Sequence, residues 1–394
     1  MAIKRILIDK ANRLYQMPPH ILAFVQSEKK RKLIKRPELI DLASFTWPVP
    51  YESDSIPDPD DLRPASRERL NNLKEELAAW MTSCHRVRLS PEPEIFIGGS
   101  VTWLTHCLAQ AYINYGDIAF VPDPAVPLYR QAVTASGGEP IGYTMAEAGG
   151  WLPSFDRVQT HLGRVARLLF LNSPHNPTGA VLGEKELADL VWIAARENIP
   201  VINDAAYQGI SDRVPTSLLA VDGGKKVGVE VYSFAYRFGL PPIPFGFAAG
   251  NREIIRGLKA AAGLVPPHIP DYYVTWALRA IRQFPSGSLK TCRSELHRAL
   301  ADSAKLLDQL SLEGCGFDTV PFIWTRVERR SSAVTAARIL YRRYRILAAP
   351  GTGFGENGQG YLRFSLTAGR KAYLDAAARV RRRTKLLHPR EPEL

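Results

Sequence analysis

The chain has 394 residues, 45% hydrophobic and 23% charged, a balance that suits packed cores and excludes a disordered or fibrous chain. Its net charge of +12 lies largely in residues 326–345 and in Arg379–Lys385, among helix formers without interleaved aromatics, so a wet helix face is expected and no nucleic-acid partner. No apolar run of about 18 residues occurs and the opening lacks a signal-peptide pattern, so no membrane segment and a cytoplasmic location are expected; the four cysteines show no CxxC spacing, and no metal site is expected.

Residues 1–48 read as an arm, anchored by Met17-Pro18-Pro19 and packing on a smaller carboxyl-terminal domain. Residues 53–64, rich in Asp and Pro, read as an exposed loop. From Glu94 the texture becomes strand, loop, helix, repeated. Short apolar runs at 94–97, 118–121, 168–171, 200–203 and 229–234 alternate with amphipathic stretches such as 184–197, which argues for a mostly parallel sheet covered by helices on both faces. Chemistry then belongs at the carboxyl ends of those strands. Polar clusters fall there: Gly98-Gly99-Ser100, Asn172 to Gly179, Asp204 to Tyr207, and Ser233 to Tyr236. Residues 49–285 form the expected large domain. After residue 285 long helical stretches (289–312 and 333–344) and short strands (322–324 and 361–366) give a smaller α/β domain over 286–394.

Order and spacing of these pieces resemble the class I/II aminotransferases, the fold-type I enzymes dependent on pyridoxal phosphate, over nearly the whole chain. Asn172-Ser173-Pro174-His175-Asn176-Pro177-Thr178-Gly179 is similar to the family's NxPxNPTG segment, Asp204-Ala205-Ala206-Tyr207 to its D-x-x-Y, and Arg363 in Leu362-Arg363-Phe364-Ser365-Leu366 to its substrate-carboxylate arginine. The resemblance implies a large domain with a mostly parallel seven-stranded sheet between helices, a smaller α/β domain, and a homodimer. It also implies a pocket in which Asp204 faces a pyridine nitrogen, Asn176 and Tyr207 face the ring's phenolic oxygen, and Gly99, Ser100 and Ser233 face a phosphate. Arg363 would take a substrate carboxylate through two parallel charge-assisted bonds.

The same resemblance exposes departures. Tyr236 stands at the place of the family's Schiff-base lysine, Pro244 at that of its phosphate-binding arginine, and Val126 at that of the aromatic stacked on the ring. A phenol forms no imine. Arg237, next in sequence, would supply a substitute phosphate contact in this degenerate pocket, and Trp103 would crowd the phosphate turn. The expectation is therefore an aminotransferase-like enzyme repurposed for a reaction independent of pyridoxal phosphate: a cyclisation, elimination, isomerisation or condensation on a carboxylate-bearing small molecule derived from an amino acid, in specialised-metabolite biosynthesis. Tyr236, Asp204 and Tyr207 would handle protons, while Arg363, Asn176, Trp47 and Phe45 bind substrate. No covalently bound cofactor is expected on this view. Two alternatives stand beside it: a catalytically inactive subunit that pairs with a partner, and an aminotransferase-like enzyme that holds pyridoxal or pyridoxamine phosphate without a covalent bond.

Overall fold

Residues 166–172 show how the sequence builds the main sheet. Leu168 and Phe170 enter one apolar layer while Leu169 and Leu171 enter another, so both faces of the strand are buried, as in sheets covered by helices on two sides. The computed structural model describes residues 11–17, 21, 39–46, 62–210, 214–240, 242–285, 287–315, 319–327 and 332–385. Among the described residues thirteen strands are formed in chain order: β1 (Ile40–Asp41), β2 (Ile95–Gly98), β3 (Ile118–Asp123), β4 (Glu139–Thr144), β5 (Ala166–Asn172), β6 (Val201–Asp204), β7 (Gly228–Ser233), β8 (Gly246–Gly250), β9 (Glu313–Cys315), β10 (Phe322–Arg326), β11 (Ile346–Leu347), β12 (Ala349–Pro350) and β13 (Tyr361–Ser365). The main sheet has seven strands in the order β2-β8-β7-β6-β5-β3-β4. β4, β3, β5, β6 and β7 are parallel, while β8 runs against both β7 and β2.

The helices that matter for the site are α1 (Arg67–His85), α2 (Val101–Tyr112), α3 (Leu128–Ala135), α4 (Glu184–Glu197), α5 (Phe234–Phe238), α6 (Arg252–Leu264), α7 (Asp271–Arg282), α8 (Gly287–Gln309), α9 (Ala333–Ile339) and α10 (Gly369–Lys385). In α4 the buried positions Leu187, Leu190, Val191 and Ala194 repeat at helical spacing, which presses one face on the sheet. Ser66, Ser100 and Asn251 begin α1, α2 and α6 by accepting N–H groups of the first turn, a contact worth about 1 kcal/mol each. One layer (Leu108, Val121, Phe170, Val229, Ile255) covers one sheet face beneath α2 and α6.

A second, antiparallel sheet has the order β12-β13-β10-β9, with Trp324 opposite Arg363. Trp324 is fully buried and stacks on Tyr361, centroids 5.1 Å apart at 6°. β1 pairs in parallel with β11, and Leu42 and Ala43 join the core beside it.

Two of the seven strands, β4 and β8, carry Gly, Pro and Ala and lack the Val/Ile/Phe runs that betray the others. Phe234 opens α5 and so does not end a strand, because Ser233 caps that helix. The stretch 333–344 is α9 followed by a π turn over Leu340–Tyr344. Among the described residues, no helix is long and apolar enough to cross a membrane, and no group of three or more His, Cys, Asp or Glu could hold a metal ion. Most of the loop at 53–64 and the Met17-Pro18-Pro19 anchor beyond Met17 lie outside the described residues.

Candidate active site

The carboxyl ends of β3, β5, β6 and β7 meet at one rim, because parallel strands all end on the same side. Asn172 and Asp204 are register partners across β5 and β6, and the Asn172 amide donates to the Asp204 carbonyl at 2.8 Å. This places Asp204 under the rim, 6% exposed. Its Oδ1 accepts the Ala206 N–H at 3.0 Å and its Oδ2 accepts the Tyr129 hydroxyl at 2.8 Å. Burial pushes its carboxyl up to about 6, and the two donors, which favour the anion, only partly oppose that.

Tyr207 follows on the turn Ala206–Gly209. Its oxygen accepts from Asn176 Nδ2 at 3.0 Å; Asn176 Oδ1 accepts from Arg363 Nη1 at 3.2 Å; Arg363 Nη2 donates to the Ala43 carbonyl at 3.1 Å. The Asn176 backbone is itself held by Asn172 Oδ1 at 2.8 Å. Arg363 is thus reached from β13 through one amide to the phenol next to Asp204. Its guanidinium lies 4.0 Å from the Phe322 ring centre and 4.8 Å from that of Phe354, and its Nε has no acceptor among the described residues. A buried guanidinium bonded only to neutral oxygens is costly until an anion arrives. Burial pushes its pKa down to about 10, and the neighbouring Tyr207 opposes that.

Tyr236 lies on α5, whose cap, Ser233, accepts the Tyr236 N–H at 3.4 Å. Its ring runs parallel to Tyr207, centroids 5.6 Å apart at 4°. Phe45 meets Tyr236 edge-on at 5.2 Å and Tyr207 at 6.4 Å. Burial raises both phenols, Tyr207 to about 12 and Tyr236 further, so both are neutral donors at ordinary pH. The elements bearing the two tyrosines touch through backbone: a Cβ at Gly209 would sit 2.1 Å from the Tyr236 carbonyl oxygen.

Above these groups is a cavity of about 420 Å³, lined on its polar side by Ser100, Tyr129, Asp204, Tyr207, Ser233 and Tyr236. Val101 and Thr102 also line it. As the first residues of α2 they have N–H groups without intrahelical acceptors, an arrangement that favours an anion. Val126 and Pro244 complete the wall. Among the described residues no lysine lines it. Lys225 and Lys259 bond to Glu94 and Glu92.

Several expectations need correction. Arg237 does not line the cavity. It points into the core, 0% exposed, donates to the Gln208 carbonyl at 2.8 Å, and lies 4.8 Å and 4.9 Å from the ring centres of Trp80 and Phe284. The reason is helical geometry: consecutive residues on α5 diverge by about 100°, so with Tyr236 at the cavity Arg237 faces the core. Trp103 does press on the turn, lying flat beside Phe96 and against Gly98 and Gly99, where a Cβ would come within 2.7 Å and 3.2 Å of its ring, but it stays out of the cavity lining. Gly99 therefore serves close packing, and Ser100 borders the cavity. His175 is fully buried against Thr178, its pKa pushed down to about 3 by burial, which leaves it neutral in the turn. Trp47 lies outside the described residues.

Tyr129 is the site residue that sequence reasoning missed. Its only local signal is an aromatic at the start of a helix after Val121-Pro122-Asp123-Pro124, and nothing in that pattern names Asp204, 75 positions away. Phe322 and Phe354, which sandwich Arg363, were missed for the same reason.

Known proteins are similar to this chain over nearly its full length. The chain is 30% identical over 392 residues to an LL-diaminopimelate aminotransferase of Syntrophobacter fumaroxidans, covering 95% of this chain and 98% of that protein. It is 28% identical over 390 residues to the protein of that name from Halothermothrix orenii, with the same coverage. A substrate-bound BacF structure from Bacillus subtilis superposes with a TM-score of 0.86 at 24% identity, over 95% of this chain and 98% of that one. These relatives overturn the expectation of a repurposed enzyme working without pyridoxal phosphate, and with it the step from Tyr236 to a site without a covalently bound cofactor. Asp204, Tyr207 and Ser100 line one cavity, and Asn176 adjoins it through its bond to Tyr207. The three departures expected from the sequence, at Tyr236, Pro244 and Val126, do not outweigh a match that spans both sheets. The family model for aminotransferase class I and II matches residues 65–380, and the chain belongs to that family.

Proposed function

We propose that the protein is an aminotransferase that takes a pyridoxal-type phosphate coenzyme and a carboxylate-bearing amino acid, as a homodimer in the cytoplasm. The observation that carries this is the hydrogen-bonded line Arg363–Asn176–Tyr207, which ends beside Asp204 at a cavity of about 420 Å³. One end suits a carboxylate and the other a protonated ring nitrogen, so a substrate and a ring can lie side by side. The residues fit the coenzyme at its ring nitrogen (Asp204), its phenolic oxygen (Tyr207 and Asn176) and its phosphate (the start of α2 with Ser100, and Ser233). Among the described residues the lining supplies neither an amine nor a guanidinium. When bound, the coenzyme supplies an electron sink for a carbanion next to the substrate carboxylate.

Within that arrangement Asp204 would hold the ring-nitrogen proton, since an anion beside a cation is strongly favoured where the carboxylate is buried. Arg363 fixes the substrate carboxylate, replacing neutral acceptors with a charged one. Tyr207 and Tyr236, raised by burial, remain protonated and hold hydrogen bonds to oxygens at the ring edge. Phe45, edge-on to both, keeps water from the space between them.

The relatives' name makes LL-diaminopimelate the first amino donor to assay. Purified protein is titrated with pyridoxal phosphate and with pyridoxamine phosphate, followed by absorbance, and the loaded protein is given the donor with a 2-oxo acid. Saturable spectral change together with amino transfer supports the proposal. Absence of saturable binding in both titrations refutes it. Borohydride reduction and peptide mapping then identify any side chain that carries the coenzyme.

A further inference from the structure

Tyr129 is 1% exposed on the first turn of α3, and its ring lies against Phe170 with centroids 5.6 Å apart at 24°. That packing restricts the ring, so the hydroxyl meets Asp204 Oδ2 in one orientation. A carboxylate has about four lone-pair directions. Tyr129 takes one on Oδ2 and the Ala206 N–H one on Oδ1, which fixes the carboxylate plane and leaves acceptor capacity for the cavity.

We propose that Tyr129 is a positioning residue: its hydroxyl holds the Asp204 carboxylate in plane and charged, so that a protonated ring nitrogen entering the cavity meets an anion. The proposal rests on the reading of Asp204 as the carboxylate that meets the ring. A buried carboxylate without donors binds its proton more tightly, and a neutral acid cannot offset a ring cation. The titratable groups that face Asp204 are the phenols of Tyr129 from α3, Tyr207 from the turn after β6 and Tyr236 from α5. Tyr143 from β4 acts on Tyr129, and Arg363 from β13 acts on Tyr207. Burial raises all four phenols, so among these groups Asp204 is the one that changes charge near neutral pH.

The test is the ionisation of Asp204 in the unloaded full-length protein, read by isotope-edited infrared spectroscopy of carbon-13 aspartate, with Asp204→Asn identifying the band. Tyr129→Phe keeps the stacked ring and removes one donor to the anion. The midpoint, about 6 in the parent protein, is expected to rise by about one to two pH units. Replacing Tyr129 with 3-fluorotyrosine keeps the shape and supplies a more acidic donor, so the midpoint is expected to fall. A midpoint that stays fixed or falls in Tyr129→Phe overturns the proposal; should that variant not fold, an unmoved midpoint in the fluorotyrosine protein overturns it. In Tyr129→Phe, affinity for pyridoxal phosphate at pH 7 should drop roughly tenfold and recover at higher pH, where Asp204 ionises again; a loss that no pH restores counts against it. If the parent protein binds no pyridoxal phosphate while the midpoint shifts as expected, the proposed function fails and takes the role toward a ring with it, leaving only the hold of Tyr129 on the Asp204 charge.

Discussion

Replacement of Asp204 by Asn tests whether this carboxylate is held charged against its solvation. The carboxyl titrates at 3.8 without the protein around it and at about 6 inside the fold, chiefly because it is desolvated. Below about pH 4 both folded and unfolded chains carry the proton, and the group has no effect on stability. Between about pH 4 and 6 the unfolded chain ionises first, so the folded chain binds more protons and stability falls as pH rises. Above about pH 6 the loss is complete, at about 3 kcal/mol, since each pH unit between the two midpoints is worth about 1.36 kcal/mol. That is a substantial share of a typical unfolding free energy of about 5–15 kcal/mol. The amide of the variant does not titrate, so the stability of Asp204→Asn relative to the parent should rise by about 3 kcal/mol from pH 4 to 7. The altered hydrogen bond to Tyr129 adds a constant offset. Urea unfolding followed by tryptophan fluorescence at several pH values measures the difference. A difference that is flat across this interval would falsify the assignment of a raised, buried Asp204.

Three further outcomes follow from the geometry. Gly209→Ala forces a Cβ into the Tyr236 carbonyl and the Arg237 Cα, 2.1 Å and 2.7 Å away; it should cost about 1–3 kcal/mol in urea unfolding and weaken pyridoxal phosphate binding, and a neutral result would mean the two tyrosine-bearing elements are not locked together. Arg363→Lys keeps a charge but loses the planar fork, so affinity for an amino-acid carboxylate measured by calorimetry should fall about 10- to 100-fold, with pyridoxamine phosphate affinity within about twofold of the parent; equal loss of both would refute the division between carboxylate and ring ends. Trp324→Ala empties the stack with Tyr361, Phe354 and Trp151 and should cost about 3–5 kcal/mol, against which a loss below about 1 kcal/mol in a denaturant melt would show that this layer repacks.

Much of the site can be read from the order of residues because its groups sit at strand ends, and strand ends follow from apolar runs. Leu168–Leu171 before Asn172, Val201–Asn203 before Asp204 and Val229–Tyr232 before Ser233 each point a polar cluster at the same rim. β4 and β8 escape this logic: their Gly, Pro and Ala residues tolerate burial without advertising a strand, and only pairing with β3 and β7 makes them strands. Arg237 shows the opposite failure. Adjacency to Tyr236 suggested a shared pocket, whereas one step along a helix turns a side chain by about 100° and sends this one among Trp80 and Phe284.

Sequence by itself determined the alternation of strands and helices and the polar clusters at strand ends, since these are local patterns in fixed order; Asp204, Tyr207, Asn176 and Arg363 were grouped by the resemblance to the family. Tertiary structure alone decided that Tyr129 reaches Asp204, that Phe322 and Phe354 sandwich Arg363, and that Tyr207 and Tyr236 lie parallel. Those contacts join residues on separate elements, often dozens of positions apart, and no local periodicity encodes a partner on another element. They exist because close packing of the two sheets and their helices leaves each side chain a single accessible neighbour shell.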